Sequence, residues 1–149
     1  MTSPLGHLVT RTVEAPSSHA FLYLSDPIKL GRWSLGCFAT WRDEMSGIHT
    51  GLSLFDGAQG WYRIDPDPSR LLIDYAVGTP DTLGVRIAAR IVAGETIGYS
   101  AETCLVMLSA WRPTAMDDAR WERLCASHEA EIWLIKAQIE KEYRESTAD

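Results

Sequence analysis

The feature that most constrains the fold of this chain is an apolar stripe near its C-terminal end, between Asp117 and Tyr143. When this stretch is placed on a helical wheel, its apolar and aromatic side chains fall within about 100° of one face. The members of the stripe are Trp121, Leu124, Cys125, His128, Ile132, Ile135, Ile139 and Tyr143. The pattern predicts one helix roughly 40 Å long, and the rest of the chain must supply a concave apolar surface to cover it.

The start of this helix carries its own signals. Thr114 lies three residues before Asp117, which resembles a capping box with Asp in place of the usual Glu or Gln. Asp117 and Asp118 also suit the positive end of the helix dipole. The sequence therefore predicts a helix start in this segment, with Thr114 as the capping residue.

Composition narrows the class of protein. A chain of 149 residues with a formal charge of −6 predicts a single domain over residues 1–149, and disfavours nucleic acid or an anionic membrane surface as partner. No apolar run approaches the roughly 18 residues that membrane insertion needs, and the first residues lack a signal-peptide pattern. The three cysteines are widely spaced and form no disulfide framework. We therefore expect a reduced, cytoplasmic protein.

Upstream of the helix, short β-type segments alternate with turn residues. The predicted strands are 7–13, 37–43, 48–55, 60–64, 71–77, 83–93 and 102–111, and two short helices follow the first strand at 17–24 and 28–33. Short connections between successive strands favour antiparallel pairing. The sequence thus predicts an α+β fold, in which a curved seven-stranded antiparallel sheet surrounds the long C-terminal helix and the two short helices close one end.

Several short motifs follow this order. The chain has Arg11-Thr12-Val13-Glu14-Ala15-Pro16, then Ala20-Phe21 and Leu24-Ser25-Asp26-Pro27, and reaches Trp33. Further along are Ile64-Asp65-Pro66, Arg70-Leu71-Leu72 and Trp111-Arg112-Pro113 before the long helix. Together they resemble the START-like superfamily, also called SRPBCC, with its helix-grip fold. The resemblance covers nearly the whole chain.

The resemblance implies a cavity between the sheet and the C-terminal helix that holds a small hydrophobic molecule. Relatives in that superfamily include lipid carriers, polyketide cyclases and aromatases, plant hormone receptors and heat-shock-protein ATPase activators, so the fold is a weak guide to activity. The ring-hydroxylating oxygenases are set aside, because this chain lacks the paired Cys and His of an iron–sulfur module. The four histidines show no metal-ligand spacing, and no metal or cofactor is expected.

Apolar and aromatic side chains are the expected ligand contacts, with plain core packing as the alternative for each. Tyr75 shares a strand face with Ile73 and Val77, and Met107 shares one with Leu105 and Trp111. The predicted ligand-binding set is Trp33, Tyr75, Met107, Trp111, Trp121, Leu124, His128, Ile132 and Ile135.

His128 is the most interesting titratable residue, because it lies in the middle of the inward stripe. It is a candidate general acid or base, with Tyr75 donating a hydrogen bond to an enolate oxygen. The alternative is a buried histidine that bonds a carbonyl group or Glu131, one turn further on. A nucleophilic Cys125 is disfavoured, since a cysteine on an apolar helix face is usually a core residue.

Residues outside the predicted core complete the expectations. Arg86 and Arg90 alternate with apolar residues and are predicted to face solvent, although an inward arginine would indicate a carboxylate ligand. Trp133 and Leu134 lie off the helix stripe and would suit a homodimer contact or a covering loop. The favoured function is binding of a small apolar or aromatic molecule, lipid-like or polyketide-like. The alternatives are a polyketide cyclase or dehydratase that uses His128, and a protein-interaction module like the heat-shock ATPase activators.

Overall fold

A computed structural model describes residues 4–148 and shows one antiparallel sheet of seven strands. The strands are β1 (Gly6–Val13), β2 (Phe38–Arg42), β3 (His49–Leu52), β4 (Gln59–Asp67), β5 (Leu72–Gly78), β6 (Gly84–Ala93) and β7 (Cys104–Trp111), in the spatial order β1-β7-β6-β5-β4-β3-β2. The helices are α1 (Ser17–Ser25), α2 (Pro27–Leu30) and α3 (Asp118–Ser146). The sheet is open and curved, so the predicted α+β helix-grip architecture is confirmed.

The long helix begins and ends close to the predicted positions, but its cap differs. The side chain of Asp117 is the N-cap and accepts a hydrogen bond from the backbone N–H of Arg120 at 2.8 Å. Thr114 lies in a preceding turn, in which the N–H of Met116 donates to the carbonyl of Pro113 at 3.1 Å. The prediction that Thr114 caps the helix is therefore wrong, because this turn separates it from the first helical amides.

One aspartate separates the two short helices. Asp26 follows α1 and accepts hydrogen bonds from the N–H groups of Ile28 at 2.9 Å and Lys29 at 3.3 Å, which caps α2. Pro27 occupies the first turn of α2, where its missing N–H costs nothing. The apolar side of α1 is buried through Ala20, Phe21, Tyr23 and Leu24, so the two helices cover one end of the concave face.

The register of the ladder shows which side of β7 faces the core. Cys104, Val106, Leu108 and Ala110 are all buried. Because strand side chains alternate between faces, Met107 and Trp111 lie on the opposite, convex face, and Trp111 is 42% exposed. The prediction that this second row points inward is corrected. Both rows of β7 are apolar, so alternation alone did not distinguish them.

A register shift changes the environment of one predicted surface residue. In the β5–β6 ladder Tyr75 pairs with Ile87 but Ala76 pairs with Val85, which leaves Arg86 as an extra residue. Arg86 is half-buried, and its Nε atom has no hydrogen-bond partner among the described residues. Burial, and then the charge of Arg120, lower the pKa of Arg86. Arg90 faces solvent as predicted, whereas the prediction for Arg86 is wrong because of this bulge.

Candidate functional site

The buried side chains form two clusters that meet at Ile87. The larger cluster includes Ile132 and Ile135 of α3, and the smaller one is built from Ala110, Met116 and Trp121. The members of the smaller cluster come from the end of β7, the connection that follows it and the first turn of α3. The interior therefore has a small cluster at the start of α3 in addition to the main core, and Ile87 packs against both.

Half-buried apolar residues lie where the two clusters meet. Ile87 and Val77 are on the concave face of the sheet, and Leu124 and Cys125 are on α3, yet all four retain some exposure to solvent. Inward-facing side chains that keep solvent contact indicate that α3 does not close this end of the sheet. We call the region formed by Val77, Ile87, Leu124, Cys125 and His128 the crevice.

The most polar part of the crevice is a buried pair on α3. His128 and Glu131 are 4% and 3% exposed, and His128 Nε2 lies 3.8 Å from Glu131 Oε1, too far for a hydrogen bond. The backbone N–H of Leu35 donates to Glu131 Oε2 at 2.7 Å. His128 Nδ1 is buried and has no partner in the described part of the chain, so it is free to bond a ligand or a water molecule.

Burial shifts the pKa values of His128 and Glu131 in opposite directions. Burial, with a smaller contribution from the charge of His7, lowers the pKa of His128 to about 4. Burial raises the pKa of Glu131 to about 7, although the hydrogen bond from Leu35 acts against this increase. At neutral pH His128 is therefore neutral and Glu131 exchanges its proton readily. Of the two groups, only Glu131 has a pKa near neutral pH, which is the condition that general acid–base chemistry favours.

Tyr75, the other predicted catalytic residue, already forms a hydrogen bond within the protein. The Tyr75 hydroxyl donates to the carbonyl of Leu24 at 2.7 Å, and burial raises the pKa of that hydroxyl. Trp33 packs edge-on against Tyr75 with ring centroids 6.0 Å apart, and its Nε1 is buried without a partner among the described residues. Tyr75 therefore supports Trp33 and α1, and the unpaired donor belongs to Trp33.

The remaining predicted contacts are distributed over different parts of the fold. Trp121 belongs to the smaller cluster, and Ile132 and Ile135 are fully enclosed in the larger one. Met107 and Trp111 are on the convex face, away from the crevice. Of the predicted set, Leu124 and His128 border the crevice directly.

Sequence reasoning missed two contributors. Glu131 was considered only as a hydrogen-bond partner of His128, although an acid one turn after an inward histidine and next to an apolar stripe is a usable signal. Leu35 contributes its backbone N–H, and no property of its side chain predicts that contact.

Two hollows of measurable size lie elsewhere on the described surface. One of about 440 Å³ lies beside the C-terminal part of α3 and is lined by Arg32, Phe38, Gln138, Lys141, Glu142 and Glu145. The other, of about 330 Å³, lies beneath the β6–β7 connection, where Thr12, Ile97, Tyr99 and Leu105 contribute to its walls. Neither includes a residue of the crevice.

Two properties hold for the part of the chain that the structure describes. None of the helices in residues 4–148 combines the length and apolar character needed to cross a bilayer. Across the same residues, no group of three or more His, Cys, Asp or Glu side chains is placed to hold a metal ion.

No family model matches the sequence, and no curated protein matches it. Solved structures do match its fold. The Zhui aromatase/cyclase from Streptomyces sp. R1128 is 17% identical, with a TM-score of 0.68 over 96% of each chain. A START superfamily protein from Mycobacterium smegmatis is 12% identical, with a TM-score of 0.60 over 95% of this chain and 99% of that one.

A third match is a two-domain protein. The di-domain aromatase/cyclase BexL from the BE-7585A biosynthetic pathway is 16% identical, with a TM-score of 0.65 over 91% of this chain and 46% of that one. At these identities the likeness establishes the fold and leaves the activity open. The chain has the helix-grip fold, which it shares with these aromatase/cyclases and with the START superfamily protein.

Proposed function

We propose that this protein binds a small apolar or aromatic molecule in the crevice between the sheet and α3. The observation that carries the proposal is the combination of half-buried apolar walls at Val77, Ile87 and Leu124 with an unpaired, buried His128 Nδ1. Ligand pockets usually join apolar walls to a few polar groups that orient the ligand. The similarity in fold to aromatase/cyclases supports an aromatic or polyketide-like occupant.

The test uses two leucines of the same helix. Leu124 borders the crevice, whereas Leu134 is 37% exposed and lies off the inward stripe. Leu124→Trp should fill the crevice and weaken binding of the neutral fluorescent probe N-phenyl-1-naphthylamine by about tenfold or more. Leu134→Trp should bind like the wild type. Equal affinity of the wild type and Leu124→Trp for the probe would contradict binding in the crevice.

A second candidate function is proton-transfer catalysis in the same crevice, of the kind that a cyclase or dehydratase uses. The observation that favours it is the pair of a neutral His128 and a Glu131 whose pKa is raised to about 7. In this account the neutral His128 accepts the proton at Nδ1 and later returns it, and Glu131 stabilises the charged imidazole between these steps. The Tyr75 hydroxyl has no part in this account, because it donates its hydrogen bond to the carbonyl of Leu24.

Catalysis and binding are separated by one substitution. His128→Gln keeps a polar side chain of similar size but cannot act as an acid or base at neutral pH. If the crevice is catalytic, this variant loses turnover of a polyketide-like carbonyl substrate and keeps its affinity for the probe. Equal loss of both properties would show that His128 serves binding alone.

A further inference from the structure

Strand β1 runs beside α3 in the same direction, and polar contacts join the two elements. His7 Nε2 lies 3.4 Å from Glu129 Oε1. One end further along, Lys136 Nζ donates to the carbonyl of Thr12 at 2.8 Å. His128 directly precedes Glu129 in the sequence, so the first contact places His7 beside the polar part of the crevice.

The registers of the ladders place His7 in the same cross-strand row as a sheet residue of the crevice. His7 pairs with Ala110 on β7, and Ala110 pairs with Ile87 on β6. Because neighbouring strands are about 4.8 Å apart, His7 and Ile87 lie about 10 Å apart on the concave face. The side chain between them in this row is the methyl group of Ala110. The row therefore has no large side chain between the crevice and His7.

The contact with Glu129 determines which ring nitrogen of His7 carries the hydrogen atom. An ionised carboxylate accepts hydrogen bonds and donates none, so the hydrogen is on Nε2, and Nδ1 of the neutral ring is an acceptor. The His7 side chain is 20% exposed, but its Nδ1 atom is buried and has no hydrogen-bond partner among residues 4–148. A buried acceptor without a donor is unfavourable, and a ligand that supplies a donor removes this cost.

A second buried nitrogen lies on the adjoining turn of α3. His128 Nδ1 is also without a partner in the described part of the chain, so the two rings do not satisfy each other through these atoms. The charge of His7 contributes to the lowered pKa of His128, which reflects the proximity of the two rings. The crevice thus has a polar end on the side of β1, formed by two histidines.

We propose that His7 is a specificity-determining residue of the crevice, and that its Nδ1 atom accepts a hydrogen bond from a hydroxyl group of the ligand. This inference rests on the proposed function and narrows the ligand class to aromatic molecules that carry a hydroxyl group, such as a phenol or a naphthol. An aryl ether of similar shape has no donor and leaves His7 Nδ1 unpaired. His128 Nδ1 remains available to a second polar group of the same ligand.

Two naphthalenes that differ in one donor test the proposal by displacing N-phenyl-1-naphthylamine. 2-Naphthol has a hydroxyl group, whereas 2-methoxynaphthalene has the same rings and oxygen atom but no donor. The wild type should prefer 2-naphthol by about tenfold. His7→Phe keeps an aromatic ring and removes the acceptor, so it should lose this preference and bind 2-methoxynaphthalene like the wild type. A preference for 2-naphthol that survives in His7→Phe would overturn the proposal.

The matched control is the same substitution at another histidine. His19 Nε2 is also buried without a partner among the described residues. The His19 ring packs edge-on against Tyr143, with the ring centroids 5.4 Å apart, near the opposite end of α3. His19→Phe should therefore keep the wild-type preference for 2-naphthol, and loss of the preference in both variants would overturn the assignment to His7.

Nuclear magnetic resonance of the wild type makes the test independent of whether a variant folds. In protein labelled with 15N at histidine, His7 should carry hydrogen on Nε2 and none on Nδ1 at about pH 8, where imidazoles are ordinarily neutral. The Nδ1 resonance should move to lower frequency when 2-naphthol binds and should not do so with 2-methoxynaphthalene. A hydrogen atom on His7 Nδ1, or an unchanged Nδ1 resonance with bound 2-naphthol, would overturn the proposal.

The outcomes for the wild type separate this inference from the proposed function. Binding of N-phenyl-1-naphthylamine without a preference for 2-naphthol would overturn the role of His7 and leave the proposed function standing. A wild type that binds none of these compounds would contradict both.

Discussion

The opposed titrations of His128 and Glu131 predict a pH dependence of stability that is hidden in the wild type and visible in each variant. The perturbation is replacement of either residue by glutamine, which keeps a polar side chain and removes the titration. Both side chains are almost fully buried on α3, so their pKa values differ between the folded and unfolded states.

The sign follows from the direction of each shift. The pKa of Glu131 is raised from 4.5 to about 7 in the folded protein, so its ionised form costs free energy, and stability falls as pH rises between these values. The pKa of His128 is lowered from 6.5 to about 4, so its contribution is complete above 6.5 and is lost as pH falls towards 4. Each shift corresponds to about 3 kcal/mol, or about 1.4 kcal/mol per pH unit.

Because the two slopes have opposite signs over nearly the same range, they largely cancel in the wild type. Glu131→Gln should gain about 3 kcal/mol relative to the wild type as pH rises from 4.5 to 7. His128→Gln should gain about 3 kcal/mol relative to the wild type as pH falls from 6.5 to 4.

Urea unfolding at a series of pH values measures these differences directly. Glu122→Gln is the control, since this exposed residue of α3 should leave the pH profile unchanged. Two variants whose stability stays parallel to that of the wild type across the whole range would refute the opposed titrations. The acid–base role of the pair would then lose its physical basis.

Three further predictions concern the structure around the crevice. Ile135→Ala truncates a fully buried side chain and should lower the free energy of unfolding by about 3 kcal/mol in urea, whereas a loss below about 1 kcal/mol would contradict its core position. Asp26→Ala removes the cap of α2 and should cost about 1 kcal/mol; thermal unfolding identical to that of the wild type would argue against the cap. Tyr75→Phe leaves the Leu24 carbonyl unpaired and should lower the free energy of unfolding by about 1–2 kcal/mol. Probe affinity in a fluorescence titration should not change, and a large loss of affinity would show that Tyr75 belongs to the binding site.

Much of the fold could be predicted because its elements have strong periodic signals. The apolar stripe from Trp121 to Tyr143 has the helical period, and α3 runs from Asp118 to Ser146. Its inward positions Ile132, Ile135 and Ile139 are all buried. Turn residues also separated the seven strands correctly. Regular elements are predictable because each residue in them obeys the same local rule.

Errors occurred where that local rule did not decide the outcome. Strand β7 has two apolar rows, so alternation could not show that Val106 rather than Met107 faces the core. The bulge at Arg86 inserts one residue into the β5–β6 ladder, and a single residue shifts the predicted face of those before it. Strand β4 continues through Pro66 to Asp67, beyond the predicted strand 60–64, because a proline does not end a strand when its missing N–H is not needed for the ladder.

The candidate site was harder to predict than the fold, because it depends on contacts between distant residues. His128 was identified from its place in the stripe, but its neutral state depends on burial and on its surroundings. The partner of Glu131 is a backbone N–H at Leu35, 96 residues away. Contacts of this kind depend on the folded geometry of the loop after α2 and leave no pattern in side-chain types.

Native mass spectrometry of the purified protein tests the central claim most directly, when the same sample is also measured after denaturation. If the crevice holds a small molecule, the native protein carries an additional mass that leaves on denaturation, and Leu124→Trp carries less of it than Leu134→Trp. A native mass equal to that of the bare chain, together with no binding of N-phenyl-1-naphthylamine or of a panel of lipids and aromatic polyketides, would contradict the account.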